Sequence, residues 1–397
     1  MEGKTKMNDF NSYPVAHTIS SCSTDGKKVQ VKWSDGHLSK FYFLWLRDNC
    51  PCCCQPDTSE PMFNIASVSN DLFASSVNVT EDGFLKIIWS GESHTSEFHP
   101  GWLRYYCHLD PSIHSFPAAT TWDSINKKEP ERFQWETVTS DPEIEMNWLC
   151  SLVDAGCSIT QNIDPTKDGL IEVTKRIGIV RETNFGLFFD VKAKTGPDTA
   201  AYTNIKLLPH TDLPTREYQP GLQLLHCLKN SVEGGENILV DGFRVAEEMK
   251  LQKPEMFDLL STVPWDFSNR SRVTDYRWKA PIIKINSNGS VEELRVGNFL
   301  HAPLQVDFEI MEPMYDAYKF FETLSQDDFF KIKFHLAPGE CLIFDNRRLL
   351  HARDSFDLSK GERHLCGCYI ERDELWSSIR MLERKRKQNL INSRHNK

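Results

Sequence analysis

The stretch GLQLLHCLKNSVEGGENILVDGF, residues 221–243, contains two short apolar runs on either side of a turn that includes Gly234-Gly235. Short apolar runs bounded by glycine or proline are typical of β-strands. Similar runs continue toward the C-terminus as APIIKIN, FKIKFHL, ECLIFD and HLCGCYI. Many short strands joined by such turns predict a mainly β fold, a sandwich or jelly roll, from about residue 200 onward.

Two segments near the N-terminus resemble each other: WSDGHLSKFYFLWLRD from Trp33 and WSGESHTSEFHPGWLR from Trp89. Both run from Trp through a polar turn to Trp-Leu-Arg, which predicts a pair of β-hairpins. We expect their tryptophans to pack into one core. The predicted organisation is a small β domain over residues 1–110, a linker over 111–140 and a catalytic domain over 141–397.

Helical patterns interrupt and flank the predicted strands. They occur at EIEMNWLCSLVDAG, GLIEVTKRIGIV, VAEEMKLQKPEMFDLL and EPMYDAYKFFETL. The last segment, DELWSSIRMLERKRKQNL, places Leu375, Ile379 and Leu382 on one face among basic residues, which predicts an amphipathic terminal helix. That face suits either packing on its own domain or a contribution to a homodimer.

Composition excludes several classes of function. The 56 acidic and 46 basic residues give a formal net charge of −10, which disfavours nucleic-acid binding and suits a small cationic substrate. No apolar run approaches the ~18 residues needed to span a bilayer. The first residues lack the apolar core of a secretory signal and the Arg-rich pattern of a mitochondrial presequence. We therefore predict a cytoplasmic protein without nucleic-acid or membrane partners.

His210-Thr211-Asp212 is an H-x-D pair. Residues i and i+2 of an extended segment point to the same side, so the imidazole and the carboxylate can converge on one ion. The predicted third ligand is His351, which follows the apparent strand ECLIFDNRRLL. Two histidines and one carboxylate on one face leave coordination positions open, as in non-haem Fe(II) oxygenases. Alone, an H-x-D pair is more often a surface feature.

Arg363 strengthens this interpretation because it follows His351 closely and begins the predicted strand RHLCGCYI. A strand returning past the metal would bring its guanidinium within reach of a bound oxoacid. Guanidinium groups bind carboxylates through paired hydrogen bonds. Arg363 is therefore the predicted anchor for the distal carboxylate of 2-oxoglutarate.

Over nearly its whole length, the chain resembles the family of γ-butyrobetaine dioxygenase and trimethyllysine dioxygenase, within the TauD-like 2-oxoglutarate oxygenases. The matching stretches are WLRDNCPC, AYTN…HTD, GLQLLHCLKNSVEGGENILVDGF, LIFDNRRLLHARDSF and RHLCGCYIERDEL. The resemblance implies a double-stranded β-helix behind a small zinc-binding β domain. It also implies Fe(II) on His210, Asp212 and His351, with 2-oxoglutarate and O2 as co-substrates. Relatives often have Thr or Ser where this chain has Asn237, whose amide can still donate a hydrogen bond to 2-oxoglutarate.

The cysteines at positions 50, 52, 53 and 54 form a dense cluster, which in a chain without a signal peptide favours metal ligation over disulfides. The resemblance implies a structural zinc held by three Cys in a C-x-C-x-x-C run and one His. Here it implies Cys50, Cys52 and His94. The expected third position holds Gln55, and a one-residue deletion would make Cys54 the third cysteine rather than Cys53.

The resemblance further implies an aromatic cage for a trimethylammonium group, which rings attract through cation–π interactions. Tyr202 and Tyr369 fall at two cage positions, and Phe185 and Phe189 fall where the family has Tyr and Trp. Simple core packing is an equal alternative for the two phenylalanines. Two further positions of the family's pocket correspond to Thr199 and Asn298.

The leading hypothesis is hydroxylation of γ-butyrobetaine to L-carnitine, with ascorbate as reductant and a homodimer as the assembly. The alternatives are trimethyllysine hydroxylation, to whose branch RHLCGCYIERDE is closer, and oxygenation of another small quaternary amine or carboxylate. A catalytically silent, zinc-bearing scaffold is disfavoured, because His210, Asp212, His351 and Arg363 are all present.

Overall fold

The computed structural model describes residue 10 and residues 13–107, 119–193 and 203–395. The chain divides into two compact units, Met1–Ser115 and Phe116–Lys397. Within the described residues, no helix carries an apolar stretch long enough to span a bilayer.

The first unit consists of two three-stranded antiparallel sheets, each followed by a short helix. Its elements are β1 (Ile19–Asp25), β2 (Lys28–Trp33), β3 (Leu38–Tyr42), α1 (Phe43–Asp48), β4 (Ala74–Val79), β5 (Leu85–Trp89), β6 (Thr95–Phe98) and α2 (Pro100–Tyr105). The predicted hairpins are β2–β3 and β5–β6.

The tryptophans of the two repeats occupy equivalent places. Trp33 and Trp89 are buried in one hydrophobic core. The indole of Trp33 donates to the hydroxyl of Ser39, and that of Trp89 donates to Ser96, both over 2.8 Å. The common core predicted from the repeat is confirmed, because both rings belong to the same buried cluster, and each indole N–H has a partner on the next strand.

The second unit has a strand at each of the predicted apolar runs, and further strands that those runs did not predict. Its strands are β7 (Glu131–Gln134), β8 (Cys157–Gln161), β9 (Val180–Arg181), β10 (Phe189–Lys192), β11 (Leu207–His210), β12 (Leu222–Asn230), β13 (Glu233–Gly234), β14 (Asn237–Asp241), β15 (Trp265–Arg270), β16 (Asp275–Ala280), β17 (Ile283–Ile285), β18 (Val291–Leu294), β19 (Lys331–Phe334), β20 (Cys341–Asp345), β21 (Leu349–Arg353), β22 (Phe356–Asp357) and β23 (Arg363–Ile370).

Two of its sheets form a double-stranded β-helix, or jelly roll. The larger sheet has the order β10-β23-β12-β20-β8-β7, with β9 also paired to β23, and the smaller has the order β11-β21-β14-β19. Apolar side chains of both sheets form one core, including Leu225 and Phe344 from the larger sheet and Leu239 and Phe334 from the smaller. The predicted fold class is confirmed. The hairpin β15–β16 stands apart as its own two-stranded sheet.

Helices cover the outside of the jelly roll. They are α3 (Trp135–Ser140), α4 (Pro142–Asp154), α5 (Lys167–Ile177), α6 (Gly242–Gln252), α7 (Pro254–Thr262), α8 (Phe308–Ser325) and α9 (Arg372–His395). The run predicted as one helix at VAEEMKLQKPEMFDLL is split at Pro254, which begins α7 because proline cannot continue a helix interior. Leu375 and Ile379 of α9 are buried in the core of their own unit, and Leu382 packs against it.

The linker predicted over residues 111–140 is wrong over its C-terminal part. Residues 131–134 form β7, which pairs in parallel with β8, and α3 follows directly. Trp122 is also buried, and its indole donates to Ala155 O over 2.8 Å. The polar composition of this segment gave no sign of these long-range contacts. Through them, the segment belongs to the second unit.

Candidate active site

Three sequence-predicted side chains meet at one edge of the smaller sheet. His210 ends β11 and lies directly opposite His351 of β21 in the strand register. Asp212 Oδ1 lies 3.6 Å from His210 Nε2 and 3.7 Å from His351 Nε2. One donor atom from each residue lies within 4.8 Å of the other two. The three side chains, the ligand triad below, can therefore contact one ion.

Neighbouring groups hold the triad in place. His210 Nδ1 is 2.8 Å from Leu208 O, so a proton on Nδ1 leaves Nε2 free for a metal. Asn346 brackets the backbone of Asp212: its Oδ1 accepts from Asp212 N over 2.7 Å, and its Nδ2 donates to Asp212 O over 3.1 Å. Sequence analysis did not select Asn346, although it lies in the quoted segment LIFDNRRLLHARDSF.

The electrostatics of the triad favour the protonation states that bind a metal. Burial lowers the pKa of His351 to about 3, and the charge of His210 adds to this effect. Burial alone would raise the pKa of Asp212, but the two adjacent imidazoles and the hydrogen bond from Tyr369 hold that pKa below its usual range. A neutral imidazole and an ionised carboxylate are ligand forms, and two histidines with one carboxylate fit Fe(II) with open positions.

Arg363 and Asn237 form a buried polar pair in the same cavity. The Arg363 guanidinium donates to Asn237 Oδ1 over 3.0 Å. Arg363 Nε and Asn237 Nδ2 are both buried, and neither has a hydrogen-bond partner among the described residues. Burial lowers the pKa of Arg363 to about 10, so the group stays charged at neutral pH. Buried N–H groups without partners, beside a buried positive charge, can donate hydrogen bonds to the carboxylate of a bound oxoacid.

A second buried arginine, Arg353, also lines this cavity. It donates to the backbone oxygens of Thr203 and Ile205, over 2.7 and 2.8 Å. Burial lowers the pKa of Arg353 to about 10, and the nearby charge of Arg363 contributes. Sequence analysis missed this residue, although it stands two positions after His351, because a single arginine in a strand carries no distinguishing pattern.

The cavity has a volume of about 530 Å³ and an aromatic wall. Phe185, Phe189 and Tyr369 line it in a row, with ring centroids 5.9 Å apart between the first two and 5.1 Å apart between the last two. We call these three rings the aromatic wall. They lie at the positions predicted for a cage, and their side chains face the cavity that contains the ligand triad.

The three remaining residues predicted for the substrate pocket are not seen to line the cavity. Thr199 and Tyr202 lie outside the described residues. Asn298 is exposed, and the cavity is lined instead by its neighbours Phe299 and Leu300. Phe299 meets the ring of His210 edge-on, with centroids 5.1 Å apart, a contact that no local pattern predicts.

The first unit contains a second cluster of possible metal ligands. Cys50 Sγ lies 3.1 Å from Cys52 Sγ and 3.3 Å from His94 Nε2, and Cys53 Sγ lies 3.6 Å from the same nitrogen. All four donor atoms lie within 4.8 Å of one another. Three thiols and one imidazole match a closed structural zinc site.

Cys53, not the predicted Cys54, belongs to this group. A single 3₁₀ turn begins at Pro51 and curls Cys53 back, so that its N–H donates to Cys50 O over 3.1 Å. Cys54 is extended, with φ −95° and ψ 148°, and pairs with Pro61. The third sulfur therefore lies two positions before Gln55 and not one, because the turn directs Cys53 toward His94.

Two family models match the chain. The family described as taurine catabolism dioxygenase TauD, TfdA matches residues 117–369, and the γ-butyrobetaine hydroxylase-like N-terminal family matches residues 20–104. Both matches lie within the units seen in the fold.

Curated relatives match nearly the full length. A γ-butyrobetaine dioxygenase of Pseudomonas sp. (strain AK-1) is 40% identical over 389 residues, which cover 95% of this chain and 99% of that protein. A γ-butyrobetaine dioxygenase of Pongo abelii is 32% identical over 91% of this chain and 96% of that protein. A trimethyllysine dioxygenase of Meyerozyma guilliermondii is 29% identical over 92% of this chain and 96% of that protein.

Proposed function

Because the chain belongs to the taurine catabolism dioxygenase TauD, TfdA family, we propose that it hydroxylates γ-butyrobetaine to L-carnitine. The protein is a 2-oxoglutarate-dependent dioxygenase that uses Fe(II). When bound, Fe(II) supplies the oxidation of an unactivated C–H bond by O2, coupled to conversion of 2-oxoglutarate into succinate and CO2. The protein supplies binding, orientation and exclusion of water.

Different side chains of the cavity would bind the metal and the co-substrate. His210, Asp212 and His351 would hold the metal, while Arg363 would bind the distal carboxylate of 2-oxoglutarate. Asn237 orients that guanidinium through Oδ1, and its unmet Nδ2 can donate to the same co-substrate. His210, His351, Asn237 and Arg363 sit on paired strands, and Asp212 follows the first of these strands, so the reacting centres keep a fixed relation.

The aromatic wall is the observation that carries the choice of substrate. A quaternary ammonium has no N–H to donate, so a protein selects it through ring faces and nearby negative charge. Here three rings line one side of the cavity, and the last of them, Tyr369, contacts the carboxylate of Asp212. A trimethylammonium group against this wall would leave the adjacent carbon chain facing the ligand triad.

Trimethyllysine is the second candidate substrate. The C-terminal segment RHLCGCYIERDE is closer to that branch of the family, and the relative from Meyerozyma guilliermondii carries that name. Both substrates present a trimethylammonium group to the same rings. They differ at the other end, where trimethyllysine has an α-amino group as well as a carboxylate.

Succinate release tests the proposal directly. The purified enzyme with Fe(II), ascorbate and 2-oxoglutarate is given γ-butyrobetaine, trimethyllysine or an uncharged carboxylate, and Asp212→Ala provides the background rate. We expect the largest substrate-dependent rate with γ-butyrobetaine, together with a product heavier by one oxygen atom. A response to trimethyllysine alone would establish the second candidate instead. A response to neither quaternary amine would overturn the proposal.

We also propose that the cluster of Cys50, Cys52, Cys53 and His94 binds a structural zinc ion. Its three thiols and one imidazole, all within 4.8 Å, support this choice. Ascorbate as reductant, a homodimeric assembly and a cytoplasmic location stay predictions from the family resemblance.

A further inference from the structure

Arg47 contacts both segments that supply ligands to the cluster proposed to bind zinc. The three cysteines of that cluster follow the first repeat, whereas His94 belongs to the polar turn of the second. The guanidinium of Arg47 donates to Cys53 Sγ over 3.2 Å, and its Nε donates to Glu92 Oε2 over 3.0 Å. Glu92 stands two residues before His94 in the same turn. One side chain therefore joins the cysteine segment to the segment that carries the histidine.

The guanidinium of Arg47 is buried beside the cluster. The residue is only 5% exposed, and the ring of Phe63 covers the guanidinium, with 3.7 Å between its carbon and the ring centroid. In the ion pair with Glu92, the side chain of Arg47 is 6% exposed and that of Glu92 is 27% exposed. Burial of a charge is costly, and an ion pair with a carboxylate could form equally well at the surface. The position of Arg47 beside a sulfur therefore requires a further reason.

The second repeat contains an equivalent arginine, Arg104, which allows a comparison within the molecule. Both arginines end a Trp-Leu-Arg segment, and each pairs with a carboxylate in the polar turn of the other repeat, Arg47 with Glu92 and Arg104 with Asp35, both over 3.0 Å. Arg104 also lies over a ring, that of Trp33, at 5.5 Å. Within the part of the chain that the structure describes, no hydrogen bond joins its side chain to a sulfur. The two repeats thus share the ion pair and the ring contact, and the bond to sulfur occurs only beside the cysteine cluster.

A zinc ion held by the cluster would leave a net negative charge next to Arg47. Cysteines bind zinc as thiolates, so three thiolates and one neutral imidazole give the bound ion one net negative charge. Cys50 of this cluster is buried, which removes part of that charge from water. A guanidinium that donates to a thiolate compensates the charge and satisfies a lone pair of the sulfur. Groups that contact metal ligands in this way orient them and strengthen metal binding.

We infer that Arg47 is a positioning residue of the zinc site, which orients Cys53 and the turn that bears His94 and balances the charge of the metal–thiolate group. This role rests on the proposed zinc site and adds to it a residue that does not itself bind the metal. Arg104, with Asp35, performs only the structural part of the role, because it joins the two repeats without contacting a ligand.

The experiment measures the zinc affinity of the full-length enzyme by competition with a chelator of known affinity. Arg47→Met removes the charge and both hydrogen bonds and keeps an apolar chain that can pack on Phe63. We expect zinc to bind about tenfold to 100-fold more weakly, the usual effect of removing a partner of a metal ligand. Arg104→Met is the matched control, because it removes the equivalent ion pair, and its zinc affinity should stay within about twofold of the wild type.

Two further measurements separate a role at the metal from general support of the fold. Arg47→Lys keeps the charge and loses the forked geometry, so its zinc affinity should lie between those of the wild type and Arg47→Met. Added zinc should raise the melting temperature of Arg47→Met less than that of the wild type, since weaker binding stabilises the folded state less. In Arg104→Met, we expect a lower melting temperature with and without zinc, and an unchanged rise on adding zinc.

Equal zinc affinities in the wild type and Arg47→Met would overturn the role of Arg47 and leave the zinc site in place. Equal losses in Arg47→Met and Arg104→Met would do the same, because they would show that joining the two repeats is all that Arg47 does. If Arg47→Met does not fold, Arg47→Lys and Arg104→Lys are compared in the same way. A wild type that binds no zinc would overturn both the role and the site.

Discussion

Tyr369 donates a hydrogen bond to Asp212 Oδ2 over 2.7 Å, while Asp212 Oδ1 faces His210 and His351 at 3.6 and 3.7 Å. One oxygen of the carboxylate therefore faces the metal position, and the other is held by a ring of the aromatic wall. The proposed metal site and the proposed substrate-binding wall therefore meet at Asp212. Separate substitutions are therefore needed to measure the contributions of the hydroxyl and the ring of Tyr369.

Tyr369→Phe removes the hydrogen bond and keeps the ring, whereas Tyr369→Leu removes both. We expect Tyr369→Phe to lower kcat by about tenfold, because a hydrogen bond to a charged group contributes about 1.5–3 kcal/mol, while KM for the quaternary amine changes little. Tyr369→Leu should raise that KM by a further factor of about ten, or about 1.4 kcal/mol. Steady-state kinetics of both variants measure the two effects.

An uncharged isostere of γ-butyrobetaine, with a tert-butyl group in place of trimethylammonium, tests the ring faces independently. It matches the substrate in shape and lacks the charge that the quadrupoles attract. We expect it to compete poorly with γ-butyrobetaine for the wild type. Equal competition would mean that the aromatic wall is only an apolar slot, and carnitine synthesis would then be dropped.

Asp212→Ala should abolish 2-oxoglutarate turnover and leave the fold intact. The triad loses its only carboxylate, while the backbone of residue 212 keeps both hydrogen bonds to Asn346. Succinate release measures turnover, and circular dichroism with a melting curve monitors the fold. Retained turnover in the purified variant would refute the assignment of the metal ligands.

Arg363→Gln should raise the KM for 2-oxoglutarate by about 100-fold, since it removes the buried cation and its unmet donor. Asn237→Ala should have a smaller effect, about tenfold, because it removes one donor and the partner that orients Arg363. The KM for the amine substrate is the internal control in both variants. A larger effect of Asn237→Ala than of Arg363→Gln would contradict this division of roles.

Zinc should co-purify at about one ion per chain, the stoichiometry of a single site with three cysteines and one histidine. Cys53→Ser should lose zinc and melt at a lower temperature, because a structural zinc ion contributes directly to folding stability. Burial raises the pKa of the Cys53 thiol, and the hydrogen bond that Arg47 donates to its Sγ over 3.2 Å partly offsets this effect. Cys54→Ser is the matched control and should retain zinc. The opposite pattern, measured by metal analysis, would restore Cys54 as the ligand.

Local patterns were sufficient for the strands that are almost wholly buried. Strands such as β12 and β20 appear in the sequence as short apolar runs, because burial on both faces of a sheet demands apolar residues throughout. The hairpins of the first unit were identified instead from the repeated Trp-turn-Trp-Leu-Arg segments, whose strands bury alternate residues on one face only. The segment over residues 131–134 escaped notice, since its strand is defined by pairing with β8 and not by its own composition.

The sequence by itself determined the types of the candidate ligands and their order along the chain. The H-x-D pair, a later histidine and a following arginine can be recognised from residue types and spacing alone. Only the tertiary structure decided between Cys53 and Cys54, since a 3₁₀ turn sets which sulfur faces His94. It alone also brought Tyr369 into contact with Asp212. Contacts between residues distant in sequence depend on how strands and loops meet in space, and no periodicity or spacing within a single segment encodes that meeting.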